Sequence, residues 1–213
     1  MNRTKIEWTD FTWNPVTGCK HGCPYCYARA VSKRFGRSFA PRLHSNRIRQ
    51  PERRRAPAKI FVCSMADLFG DWVPDAWIRA VIEVVRRCPY HIFQFLTKNP
   101  ARLQEFNPWP ANCWVGATTD TEQRFDEALA LLAHVDASVR FISAEPLLFN
   151  PTRMSKIVDW VIVGAMTGPR ATSPDPQWVE RLTQLSGLNG IPVFHKNNLG
   201  ALAQVKEFPK EEI

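Results

Sequence analysis

Lys59-Ile60-Phe61-Val62-Cys63-Ser64-Met65-Ala66-Asp67 reads as a short buried-type strand that breaks off into polar residues. The arrangement recurs down the chain. Residues 92–96 run into Thr97 and Lys98, and residues 113–116 into Thr118, Thr119 and Asp120. Residues 139–143 run into Glu145 and Pro146, residues 160–164 into Thr167 and Gly168, and residues 192–195 into Lys196, Asn197 and Asn198. Helical patterns lie between. Residues 75–88 put Trp77, Ile78, Val81, Ile82 and Val85 on one broad face, with Asp75 as the expected cap. Residues 100–106, 122–134 after a Thr121 cap, and 176–185 supply the others. Strands alternating with helices across short connections predict a parallel α/β fold. With a first strand over residues 6–13, the expected architecture is a partial or compact (β/α) barrel of about six to seven parallel strands. No repeat and no second domain shows, so residues 1–213 read as one domain.

Chemistry in such barrels gathers in the loops after the strands. One polar residue there could be a helix cap. A polar group in almost every loop at one rim is better explained as a site.

After that first strand stands Gly18-Cys19-Lys20-His21-Gly22-Cys23-Pro24-Tyr25-Cys26-Tyr27. Three thiols at Cys-x3-Cys-x2-Cys spacing can serve one metal centre and leave one position without a protein ligand. Two readings follow. One is a structural zinc knuckle, which wants a fourth ligand such as His21. The other is a [4Fe-4S] cluster on Cys19, Cys23 and Cys26, with one iron free for a substrate or cofactor. The remainder of the chain is unlike a small zinc module, which favours the cluster.

Composition narrows the setting. An apolar content of 45% is ample for a core. No run of about 18 apolar residues occurs, so no membrane helix is expected. The N-terminus lacks the apolar segment of a signal peptide. Six cysteines, three of them in a metal pattern, read as reduced thiols of a cytoplasmic protein. The net charge of +8 favours a polyanionic partner. Positive charge is dense in residues 36–58, where Arg42, Arg47, Arg49, Arg53, Arg54 and Arg55 face one acid, Glu52. That Arg- and Pro-rich insertion reads either as a solvated linker or as an arm that touches phosphates through Arg47, Arg49, Arg53, Arg54 and Arg55.

The spacing of the three cysteines, with aromatic Tyr25 before the third, resembles the radical S-adenosylmethionine (SAM) superfamily. Across nearly the whole chain the sequence also resembles the phage-associated Gp37/Gp68 family. The carrying stretches are Lys5-Ile6-Glu7-Trp8-Thr9-Asp10, Thr12-Trp13-Asn14-Pro15-Val16-Thr17-Gly18-Cys19, Ser64-Met65-Ala66-Asp67-Leu68-Phe69, Leu96-Thr97-Lys98, Glu145-Pro146-Leu147-Leu148 and Asp159-Trp160-Val161-Ile162-Val163-Gly164. It departs at Gly164-Ala165-Met166-Thr167-Gly168, where that family commonly has an acidic segment, and at Ala117-Thr118-Thr119-Asp120. A fainter resemblance, carried by Cys63-Ser64-Met65-Ala66-Asp67 and Leu96-Thr97-Lys98, is to the spore photoproduct lyases, radical SAM enzymes of DNA repair.

The resemblance implies a cluster and SAM as cofactors, with SAM bound at the open iron. Lys98 would then meet the SAM carboxylate, Ser64 and Asp67 its amino group, Thr118 or Thr119 its ribose, and Tyr25 its adenine, with Glu145 completing the rim. Cys63 would give a hydrogen atom to a product radical, or else be a core thiol. The implied activity is reductive cleavage of SAM to a 5'-deoxyadenosyl radical that acts on nucleic acid, with a thymine photolesion in DNA favoured. Flavodoxin or ferredoxin would supply the electron, and the protein would be a monomer. The alternatives are radical SAM modification of a protein, peptide or tRNA, and a non-catalytic metal-bearing module that binds nucleic acid.

Overall fold

Apolar residues alternate along every long strand, and the two sets go to different places. The computed structural model describes residues 1–168 and 171–210. One eight-stranded sheet runs β1 (Asn2–Arg3), β2 (Phe11–Trp13), β5 (Lys59–Val62), β6 (Ile92–Thr97), β7 (Cys113–Thr118), β8 (Val139–Ala144), β9 (Trp160–Val163) and β10 (Val193–His195), in that order. β1 pairs antiparallel to β2, and every later neighbour is parallel. Strands β3 (Val16–Thr17) and β4 (Arg42–Leu43) form a separate ribbon.

Ile60, Val62, Phe93, Phe95, Val115, Ala117, Ile142, Val161 and Val193 share one core with Ile78, Val81, Phe125, Leu129, Val179 and Leu182. Those last six come from α3 (Asp75–Arg87), α4 (Glu122–Leu132) and α5 (Pro176–Leu188). The alternate strand residues Phe61, Ile92, Trp114, Val139, Phe141, Trp160, Ile162 and Phe194 form a second cluster with Trp8 and without any helix. All three long helices therefore lie on one face, because each connection steps the chain one strand over in the same direction. The other face curls inward, as expected for a partial barrel. Trp160 is the hub of the inner cluster, with ring centroids 6.2 Å from Trp8, 5.5 Å from Trp114 and 5.6 Å from Phe141. Each such ring contributes roughly 1.5–3 kcal/mol by burial. This aromatic plug fills the floor and leaves space at the C-terminal ends of the strands.

The first strand is shorter than the predicted 6–13. Residues 4–9 turn into the open side of the sheet. Trp8 enters the inner cluster, while Glu7 accepts hydrogen bonds from the Asn197 N–H (3.0 and 2.9 Å) and from Lys206 Nζ (2.7 Å). Thr9 Oγ1 donates to Lys59 O (3.1 Å), and the Lys59 N–H donates to Asp10 Oδ2 (2.8 Å). The motif at residues 5–10 thus ties both edges of the partial barrel together.

Two smaller expectations shift as well. Pro74, not Asp75, occupies the cap position of α3, and α5 runs one turn past residue 185. Residues 36–58 are folded rather than loose. They carry β4, α2 (Ser45–Ile48) and a 3-10 turn at Pro51–Arg53. A parallel connection from β2 to β5 must return the chain to the base of the sheet, and this stretch makes that return.

Candidate active site

A cavity of about 450 Å³ opens over the plug at the C-terminal ends of the strands, within the size range of small-molecule sites. Ile6, Trp8, Phe61 and Leu96 make an apolar floor, and Thr12, Thr118 and Ser143 add hydroxyls. Thr118 and Ser143 are register partners on β7 and β8, at one level of the wall.

The cysteine loop forms one side. Gly18 starts it at φ +89°, and a Cβ there would stand 2.2 Å from Ala40 O, so the tight entry requires glycine. The Gly18 N–H donates to Met65 O (2.9 Å), which ties the loop to the turn after β5. Cys26 caps α1 (Tyr27–Arg34), its Sγ accepting from the Arg29 N–H at 3.4 Å. Cys19, Cys23 and Cys26 are free, half-buried, and all line the cavity. Burial raises the Cys19 and Cys23 thiols, with nearby Lys98 pulling Cys23 back down. Among the described residues no three Cys, His, Asp or Glu side chains converge as a single metal ion would need. His21, the candidate fourth zinc ligand, is engaged elsewhere: Nε2 lies 2.7 Å from Asp67 Oδ2 and the ring packs on Trp72.

Asp67 is buried and already has its partners. Oδ1 accepts from Thr97 Oγ1 (2.7 Å) and the Phe69 N–H (3.0 Å), and Oδ2 accepts from His21 and the Lys98 N–H (2.8 Å). Burial pushes its carboxyl up, but the hydrogen bonds from His21, the Lys98 backbone and Thr97 outweigh that and hold it below the usual range. Through these bonds Asp67 braces the cysteine loop against β6, while it also lines the cavity. Ser64 is likewise partnered, donating to Asn14 Oδ1 (3.2 Å), which also accepts from the Met65 N–H (3.0 Å).

Beside the cysteine loop stands an ionic cluster. Lys98 Nζ donates to Tyr25 Oη (2.8 Å) and Asp120 Oδ2 (3.1 Å). Tyr25 also donates to Asp120, and Arg124 Nη1 reaches both Asp120 oxygens (2.7 and 2.9 Å). Burial, then the bond to Asp120, raises the Tyr25 phenol, so it stays a donor. Two cations share one carboxylate, leaving a positive charge over for an anionic group. Tyr25 is therefore a hydrogen-bonding partner of Lys98 as well as a wall residue. Across the cavity Lys196 donates to Glu145, and Gly164 makes room for that pair: a Cβ there would stand 3.0 Å from Glu145 Cγ.

Cys63 follows β5 directly with φ +60°, the one non-glycine residue in left-handed backbone among the described residues. That conformation costs on the order of 1–3 kcal/mol and needs surroundings that enforce it. The Cys63 N–H donates to Trp13 O (2.8 Å), and its side chain is buried at the cavity wall. Burial pushes the thiol up to about 12, so it carries its proton at neutral pH.

The site residues expected from sequence are thus largely gathered: Cys19, Cys23, Cys26, Tyr25, Cys63, Ser64, Asp67, Lys98, Thr118 and Glu145 all line the cavity. Thr119 does not; it is fully buried, on the opposite side of β7's end, and its hydroxyl has no partner. The arginines also lie elsewhere. Arg47 Nη1 donates to Asn14 O (3.4 Å), Arg49 pairs with Glu52 (2.6 Å), and Arg54 stacks 4.4 Å from the Phe11 ring at the start of β2. Arg53 and Arg55 are likewise absent from the cavity lining. Sequence reasoning did not single out Thr12, Ser143 or the His21–Asp67 contact. Ser143 carried a signal, since it ends an apolar strand, and its strand parity with Glu145 gives the facing.

The model of a family described as Protein of unknown function (DUF5131) matches residues 3–211. The chain belongs to that family. No curated protein matches this DUF5131 chain. Among solved structures it is similar to spore photoproduct lyase complexed with dinucleoside spore photoproduct (TM-score 0.59, 14% identity). It is similar also to a mutant of that lyase with bound AdoMet and dinucleoside spore photoproduct (TM-score 0.58, 14% identity). A further lyase mutant aligns with a TM-score of 0.58 and 13% identity. Each alignment covers 91% of this chain and 57% of the lyase chain. At these identities the likeness shows a shared fold, and the DUF5131 chain spans little more than half the lyase's length.

Proposed function

We propose that the protein is a radical SAM enzyme acting on nucleic acid, with a thymine photolesion in DNA as the favoured substrate. The observation that carries this is that three loop cysteines, Lys98 and Cys63 line one cavity, with Asp120 and Arg124 paired behind Lys98. The likeness in fold to a lyase solved with AdoMet and a dinucleoside photoproduct supports it.

Cys19, Cys23 and Cys26 would hold a [4Fe-4S] cluster. Bound there, cluster and SAM together supply a 5'-deoxyadenosyl radical. The surplus charge at Lys98 and Arg124 binds the SAM carboxylate, while the Thr118 and Ser143 hydroxyls serve a ribose. The floor of Ile6, Trp8, Phe61 and Leu96 excludes water and offers flat apolar contact to a base. Asp67 keeps the cysteine loop in position through His21. Cys63, protonated and in the wall, can lose its hydrogen atom to a carbon-centred substrate radical: the S–H bond breaks, a C–H bond forms, and the thiyl radical left on Sγ takes a hydrogen atom from an external thiol reductant, whose S–H bond breaks in turn. A lesion base has to leave its stack to arrive here, which costs a few kcal/mol and is cheapest at damaged sites. No helix among the described residues is long and apolar enough to cross a membrane; the proposed setting is the cytoplasm, with a flavodoxin or ferredoxin as electron donor and the protein as a monomer.

Anaerobic reconstitution tests the reading. A brown protein with four irons and sulfides that turns SAM into methionine and 5'-deoxyadenosine with dithionite is expected, and repair of photolesion DNA should follow. A colourless zinc protein that leaves SAM intact would overturn it.

A further inference from the structure

From Phe11 to Pro51 the chain contains no Asp or Glu. Lys20, Arg29, Lys33, Arg34, Arg37 and Arg42 are all exposed there, and none of them forms an ion pair among the described residues. The first turns of that surface are α1. Along it Tyr27, Val31 and Phe35, spaced by four, leave one stripe 50, 41 and 62% exposed. Large apolar side chains of a folded domain are rarely left in a row like this without a partner. The stripe starts at the cavity, since Tyr27 lines it and bonds to Ser64 O, and ends about 12 Å away at Phe35, given 1.5 Å of rise per residue. Phe35 lies between two guanidiniums, Arg34 at 6.0 Å and Arg37 at 5.4 Å from its ring, and Arg29 stands 5.0 Å over Phe39.

Aromatic rings interleaved with guanidiniums that meet no carboxylate, Arg29 donating to Cys19 O (3.0 Å), provide stacking faces for bases and forks for phosphates together. We infer that α1 and residues 37–42 form the face that holds a single strand of nucleic acid and leads one unpaired base into the cavity. This rests on the reading that the substrate is a nucleic acid, and it moves the phosphate contacts from Arg53, Arg54 and Arg55 to the surface beside the cysteine loop. An acidic protein would find charge on this face but no use for exposed rings set beside the guanidiniums, so the strand is the better fit.

The test is fluorescence anisotropy of the full chain with a labelled thymidine oligonucleotide, an RNA of the same length and the matching DNA duplex, without SAM, over a salt series. Single strand should bind more tightly than duplex, with an affinity that falls steeply with salt. Lys33→Gln/Arg34→Gln/Arg37→Gln should lower affinity at least about tenfold and flatten the log–log slope by about 2, at roughly 0.7 per lost phosphate contact. Phe35→Ala, at an exposed position, should lower affinity about fivefold to a hundredfold with the slope retained, as a lost stacking face does. Arg53→Gln/Arg55→Gln should bind like the wild type. If the α1 variants bind normally, or the Arg53/Arg55 variant alone loses the slope, this inference is wrong while the nucleic-acid reading stands. If the wild-type chain binds none of the three at the lowest salt, the inference and that reading fail together.

Discussion

Asp67 Oδ2 lies 2.7 Å from His21 Nε2, so a buried carboxylate after β5 grips the middle of the cysteine loop. The same carboxylate takes Thr97 and the Lys98 N–H from the end of β6. One side chain thereby sets the distance between the loop thiols and the Lys98 cluster. Asp67→Asn should cost about 1–3 kcal/mol, since the amide turns a donor toward groups that donate. That corresponds to roughly 2–12 °C in Tm for a chain of this size. Iron incorporation should fall with it. A Tm and iron content equal to wild type would remove Asp67 from this role.

The pH dependence follows from the same residue and from Asp120. Both carboxyls are held below their ordinary value of 3.8 in the folded protein. Their contribution to stability is therefore complete above the unfolded value and is lost as pH falls through the lower folded values. Urea midpoints measured from neutral pH down into the carboxylate range should drop at the acid end, and Asp67→Asn/Asp120→Asn should flatten that drop. An unchanged acid limb in the double variant would show that other groups control it.

Replacing Cys19, Cys23 or Cys26 by Ala should abolish the four-iron complement in each case, because each thiolate serves a different iron. Iron and sulfide analysis after anaerobic reconstitution reads this directly. A full complement in any of the three would break the ligand assignment.

Lys98→Ala should weaken SAM binding while sparing the cluster. The charged hydrogen bond it removes is worth about 1.5–3 kcal/mol, so calorimetry should show roughly a tenfold to hundredfold loss. Arg124 still holds Asp120 in the variant, which limits the damage to the fold. Unaltered affinity would mean that the surplus charge is not used for SAM.

At Cys63 two substitutions separate strain from chemistry. Neither Cys63→Ala nor Cys63→Gly has a hydrogen atom to give, so both should cleave SAM yet shift the DNA products toward aberrant adducts by mass spectrometry. Glycine accepts φ +60° freely, and so Cys63→Gly should be the more stable of the two by about 1–2 kcal/mol. Wild-type products at wild-type rate from either would return Cys63 to the core.

The order of strands and helices, the polar rim and the cysteine loop were all legible in the amino-acid sequence, because each depends on local pattern: apolar runs, caps, glycines and spacing. Even the facing of Thr118, Ser143 and Glu145 follows from strand parity. What only the tertiary structure decided was which polar groups are spent. Asp67, Ser64 and Lys98 look equally available in the chain, yet Asp67 is bound on both oxygens and Ser64 sits on Asn14, whereas Lys98 shares Asp120 with Arg124 and so keeps charge to offer. Thr118 and Thr119 differ by one residue and hence by a face of the sheet. The arginines of residues 47–55 carry the densest charge in the sequence, yet none of them lines the cavity. Partners brought together from distant positions, and the direction a connection must run, are set by the closing of the sheet, and no local stretch of sequence contains them.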